Sequence, residues 1–290
     1  MKENAEQRKK YGADLSAGRK LWDILFPFVF IVLCMLLVTM AVIVILSMIT
    51  GVQGMDVEAL RKVFPGMALY VNVGFYGLTI LTQRKNLRVD DLRFGHWEKR
   101  WKGPAIGAGV LLMAAACALW SDLLLHSPLM EWFPGYQNSA AVSFEGQDPI
   151  LLILATVVLA PPAEEMIFRG MLFRRAENYM GRTGALLLSS FLFGLYHANM
   201  IQFLYAFLMG LLLAFLYEKS GTLLLPVLAH GAANLWNIIS SWIQEAVPGA
   251  GVPMGIAEAI TGAACLCFLL YLGKSGKIQV SAQPDAGDVC

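Results

Sequence analysis

From residue 21 to residue 50 the chain runs thirty residues with a single charged side chain, Asp23. About 20 consecutive apolar residues are enough to cross a bilayer. In hydrocarbon every backbone polar group must be bonded within its own segment, so a run like this has to be helical. It is too long for a signal-peptide core, follows a polar, basic stretch, and lacks a small-residue cleavage site, so it is expected to stay as a first membrane helix. The rest of the chain repeats the pattern, with 57% hydrophobic and 15% charged residues, against roughly 25% charged in soluble domains. Eight apolar segments are expected, at about 22–49, 64–82, 104–125, 149–168, 184–199, 201–217, 222–243 and 253–273. The expected class is an all-α polytopic membrane protein in a lipid bilayer, with tails at 1–20 and 275–290 flanking a transmembrane domain at 21–274. No soluble domain or internal repeat is visible, and no nucleic-acid partner is expected.

Lysine and arginine sort by side. The N-terminal tail carries six, 83–103 seven, 169–183 four, 218–221 one and 274–290 two, whereas 50–63 has two and 126–148 and 244–252 have none. By the positive-inside rule both termini are cytoplasmic. Trp97 and Trp101 among the basic residues of 83–103 read as an interfacial anchor. Gly103-Pro-Ala-Ile-Gly107 matches a helix-packing GxxxG, and the outer segment 126–148 is expected to hold a short surface helix. Cys34, Cys117, Cys265, Cys267 and Cys290 show no metal-ligand spacing and read as small core residues.

Three polar clusters interrupt the apolar runs: Glu164-Glu165-x-x-x-Arg169, Phe193-x-x-x-His197 and His230-x-x-x-Asn234. A carboxylate at membrane depth is costly and by default marks function. Pro161 and Pro162 precede the glutamates, and proline is best tolerated in a first helical turn. The helix is therefore expected to kink or restart there and run to about Met180. Adjacent helical residues point about 100° apart, so the two glutamates cannot share one role. Glu165 is placed to pair with Arg169 at i, i+4, which leaves Glu164 free to act on water. His230 and Asn234 project from one helical face.

Counting ~1.5 Å per residue across a ~30 Å core, Glu164 falls about 9 Å from the cytoplasmic edge and His230 about 12 Å. His197, counted from Gly184, falls about 20 Å in and does not match them. A carboxylate general base with His and Asn donors for an oxyanion makes a hydrolytic set.

In this order and spacing the three motifs resemble the CPBP family of CAAX proteases and bacteriocin-processing enzymes, also called ABI. These are intramembrane glutamic endopeptidases related to the Ras-converting CAAX endopeptidase. The resemblance covers roughly residues 148–240. It implies that Glu164 activates water with help from His197, that His230 and Asn234 bind the oxyanion, and that Glu165 and Arg169 hold the helix and tune the site. No cofactor and no metal is expected, although a metal held by Glu164, His197 and His230 stays open on ligand type alone. There is no His-Glu-x-x-His for a zinc protease and no Gly-x-Gly-Asp. The expected activity is hydrolysis of a peptide bond in a membrane-associated or small secreted peptide, in a bacterial plasma membrane. The competing reading is a non-catalytic immunity or regulatory partner on the same fold. Substrate, cleavage site and oligomeric state are left open.

Overall fold

The computed structural model describes residues 14–52, 56–64, 66–94, 101, 103–125, 127–133 and 148–275. Helices make up its regular structure, and there is no strand among the described residues. In chain order they are α1 (Ala17–Thr50), α2 (Val57–Val63), α3 (Met67–Phe94), α4 (Pro104–Leu125), α5 (Leu129–Trp132), α6 (Pro149–Tyr196), α7 (Met200–Ser220), α8 (Leu224–Ala246) and α9 (Gly251–Lys274). The short α5 is the surface helix expected in 126–148, most of which lies outside the described residues.

Among the described residues, five helices are long and apolar enough to cross a membrane, or six if α2 and α3 count as one bent span. Eight were expected. Two physical reasons account for the difference. The fourth and fifth expected spans form one 48-residue helical segment, α6. Its single break is Gly181, at φ 74 and ψ 176, a conformation that side chains with a Cβ rarely adopt. The seventh, α8, carries His230, Asn234 and Asn237, and these polar residues face the site rather than lipid.

The kink or restart expected at Pro161 takes the form of a change of winding, with the α-helical stretch Ala160–Glu165 carrying the prolines in its first turn after a π stretch. The backbone stays helical through the prolines, with Leu159 at φ −96, ψ −41 and Ala160 at φ −60, ψ −51. Two stretches of wider π turns, Leu154–Leu159 and Met166–Phe173, flank the glutamates. Such bulges occur mostly as insertions within α-helices and often at functional sites.

Charges counted as loop residues are structural. α3 continues to Phe94, and its Asp90, fully buried, receives Arg175 through Nε at 2.7 Å and Nη2 at 3.2 Å. Arg175 also donates to the Asp23 carbonyl of α1 at 3.0 Å, Tyr179 donates to the Asp23 carboxylate at 2.9 Å, and Arg174 bonds Asp91. Arg182 reaches Glu218 of α7 at 3.2 Å. This ion-paired layer ties α1, α3, α6 and α7 together at one end of the bundle. Arg169, also counted as a loop cation, lies inside the protein.

Two smaller expectations fail. Trp101 is only 3% exposed and packs within 3.2 Å of where a Cβ on Gly109 would sit, so it is a core residue rather than an interfacial anchor. Trp97 lies outside the described residues. Nothing lies within 4 Å of a Cβ added at Gly103 or Gly107, so that GxxxG does not bring two helices together. Cys34 and Cys117 are buried as expected, but Cys267 is exposed.

Candidate active site

In the first π stretch the Ala160 N–H bonds the Ala155 carbonyl, five residues back. In that register the next two donors would be residues 161 and 162, which are both proline and have no N–H. The carbonyls of Thr156 and Val157 therefore lose their helical partners, and a buried carbonyl without one is costly. α8 meets this need. Asn234 Nδ2 donates to the Thr156 carbonyl at 2.8 Å. Gly231 lets α8 approach so closely that a Cβ there would sit 3.2 Å from the Val157 carbonyl. The Pro-Pro pair and the His-x-x-x-Asn motif thus form one joint, which sets His230 against the two glutamates.

Glu165 and Arg169 form the expected ion pair, Oε1 to Nη1 at 2.7 Å, with both side chains fully buried. Arg169 also donates to the Gly210 carbonyl of α7 at 3.1 Å and lies over the Phe193 ring, 4.5 Å from its centroid. His230 Nδ1 meets Glu165 Oε1 at 2.9 Å. Beside a carboxylate that already receives Arg169, Nδ1 is the donor, and Nε2 is left toward Glu164, 3.8 Å from its Oε2. In the neutral ring that nitrogen is an acceptor; it donates only in the imidazolium form.

Glu164 takes no part in the Arg169 pair. It is 4% exposed and lines a cavity of about 320 Å³. Its Oε1 accepts the Tyr76 hydroxyl of α3 at 2.8 Å. His197, at the C-terminal cap of α6, places Nδ1 2.8 Å from the Phe193 carbonyl. A carbonyl only accepts, so Nδ1 carries the proton and Nε2 offers a lone pair. Glu164, His197, His230 and Asn234 all line the same cavity, and Glu165 and Arg169 lie behind it. Among the described residues lining it, Glu164 is the one carboxylate.

The depth mismatch of His197 is resolved by the Gly181 turn. Glu164 lies seventeen residues before that glycine and His197 sixteen after it. The two arms of α6 pack as an antiparallel hairpin, with Phe168 edge-on to Phe193 at 5.1 Å. Equal arm lengths bring Glu164 and His197 to one level, about 25 Å from the turn. Counting His197 from Gly184 and Glu164 from the outer edge used two different reference points, whereas the turn at Gly181 gives both arms a common one.

Tyr76 went unrecognised in the sequence. Its signal was faint: Tyr70, Asn72 and Tyr76 are polar groups in an otherwise apolar stretch of α3. Asn72, Tyr205 and Asn237, which also line the cavity, were missed for the same reason. No cluster of three or more His, Cys, Asp or Glu with metal-holding geometry occurs among the described residues.

Residues 146–236, about a third of the chain, match the family described as "Type II CAAX prenyl endopeptidase Rce1-like". All three motifs fall inside that segment, so the resemblance they carry is borne out. Over 103 residues the chain is 31% identical to "Putative membrane peptidase YdiL" of Bacillus subtilis (strain 168), covering 36% of this chain and 42% of that one. Over 98 residues it is 37% identical to an "Uncharacterized 24.3 kDa protein" of Escherichia coli, covering 32% of this chain and 45% of that one. The chain thus spans less than half the length of these curated relatives. No solved structure matches it. With its apolar helices, the chain is a multi-pass membrane protein, and its residues 146–236 resemble the Rce1-like endopeptidases.

Proposed function

We propose that this protein is an intramembrane endopeptidase in which Glu164 activates water to hydrolyse a peptide bond. The observation that carries this reading is the division of labour between adjacent carboxylates. Glu165 is consumed by Arg169 and His230, whereas Glu164 faces the cavity with a tyrosine donor on one oxygen. A water between Glu164 and His197 Nε2 would meet two proton acceptors, which makes it a better nucleophile. As it attacks the peptide carbonyl, the developing oxyanion is taken by donors on α8. These are His230 Nε2 in its imidazolium form and the second Nδ2 hydrogen of Asn234, the first being held by Thr156. The proton that Glu164 removed then passes to the leaving amine, closing the cycle without a covalent intermediate.

The chain crosses the membrane eight times, with the two arms of α6 counted separately, and both termini face the cytoplasm of a bacterial cell. Its substrates are membrane-associated or exported peptides. A purely regulatory partner gains nothing from holding a carboxylate, two imidazoles and an amide on one cavity. The test is to compare the peptides of membrane and medium in cells carrying the wild type or Glu164→Gln. A peptide set unchanged by the substitution removes Glu164 as the base.

A further inference from the structure

We propose that the cavity receives an internal, uncharged peptide segment from the extracytoplasmic face and holds its backbone with the side-chain amides of Asn72, Gln202 and Asn237. This rests on the endopeptidase reading above.

The direction follows from which ends of the helices line the cavity. Its residues come from the start of α3, the end of α4, the first half and the C-terminal end of α6, the start of α7 and the middle of α8. These segments meet at one end of the bundle, where Leu69, Leu152 and Ile238 share one cluster and Leu124 and Ile201 another. Toward the other end the cavity stops at Glu164. Behind it Phe168, Phe193 and Arg169 are at most 1% exposed and stack on one another. Beyond these lies the layer of Asp23, Asp90, Arg174 and Arg175, at the end where the cytoplasmic cations gather. The site is therefore open toward the side poor in lysine and arginine and blocked toward the rich one.

The dimensions suit a short extended segment. From Leu152 to Glu164 is twelve helical residues, about 18 Å. At ~3.3 Å per residue an extended peptide of about five residues fills it. Asn72 sits one turn above Tyr76, Asn237 lies one turn beyond Asn234, and Gln202 lies in the first turn of α7. Each side-chain amide offers both a donor and an acceptor, which match the N–H and C=O of a peptide. Asn237 spends one donor on the Tyr205 hydroxyl at 2.9 Å, and this bond orients its amide. No lysine or arginine is among the described lining residues. A free terminal carboxylate therefore finds no counter-charge there, and an internal segment is the better occupant.

Access and chemistry are tested separately. In full-length protein with its five cysteines replaced, Ser121→Cys and Gln202→Cys are introduced singly at the cavity, and Ser275→Cys at the opposite end. Spheroplasts are treated with a membrane-impermeant maleimide. Both cavity variants should label before permeabilisation and Ser275→Cys only after it; either variant suffices if the other gives no protein. Cavity cysteines that label only from the cytoplasmic side overturn the proposal, whatever the enzyme's activity. External labelling together with cleavage that survives Glu164→Gln keeps the route and removes the catalytic assignment. With a fixed internal peptide, Asn72→Leu and Gln202→Leu should each raise KM about three- to tenfold with kcat retained, as for lost uniform binding. A loss in kcat with KM unchanged overturns the backbone-holding role.

Discussion

Asn234 donates to the Thr156 carbonyl, the group that Pro161 leaves without a helical donor. One amide therefore has a structural duty beside the proposed chemical one, and the two can be separated. Asn234→Leu should lower stability by about 1–3 kcal/mol, the cost of a buried unsatisfied carbonyl. It should also lower turnover by roughly 10²–10³. Adding Pro161→Ala restores an N–H in register with Thr156. The double variant should recover melting temperature but not turnover. Recovery of both would make Asn234 a packing residue only.

The adjacent glutamates should fail differently. Glu164→Gln is expected to abolish peptide hydrolysis while the purified protein keeps its melting temperature. Glu165→Gln strands Arg169 in a fully buried site, and breaking such a pair typically costs about 3–5 kcal/mol. Its signature is lost yield and a lowered melting temperature. A normally stable Glu165→Gln protein would contradict the ion pair's role.

Tyr76→Phe removes one hydrogen bond to Glu164 and leaves the ring in place. A hydrogen bond to a charged group is worth about 1.5–3 kcal/mol, so kcat on a fixed peptide should fall roughly ten- to a hundredfold. An unchanged kcat would confine Tyr76 to packing.

Hydrolysis should persist in strong chelators, since the proposed general base and its donors are all side chains of this chain. Loss of activity in phenanthroline that added zinc restores would assign the water to a metal instead.

What could be read from the sequence was set by the range of the interaction. Helical membrane segments are legible because one property, apolar length, decides them. Glu165–Arg169 and the shared face of His230 and Asn234 are legible because i, i+4 spacing is local. Tyr76 and Glu164 meet across 88 residues, and nothing near either announces the other. The π turns were hidden because hydrophobic spacing does not distinguish a bond to the fourth residue from one to the fifth. Arg175 counts only as a loop cation in the sequence because its pairing with Asp90 across 85 residues is invisible until α3 and α6 are laid side by side.

The hairpin of α6 also ties the chemistry to chain length. Glu164 and His197 face each other because seventeen residues on one side of Gly181 answer sixteen on the other. One residue inserted into either arm would turn its reactive side chain by about 100° and slide it by about 1.5 Å. Paired insertions near the turn, one on each arm, should therefore keep the two side chains level where a single insertion does not.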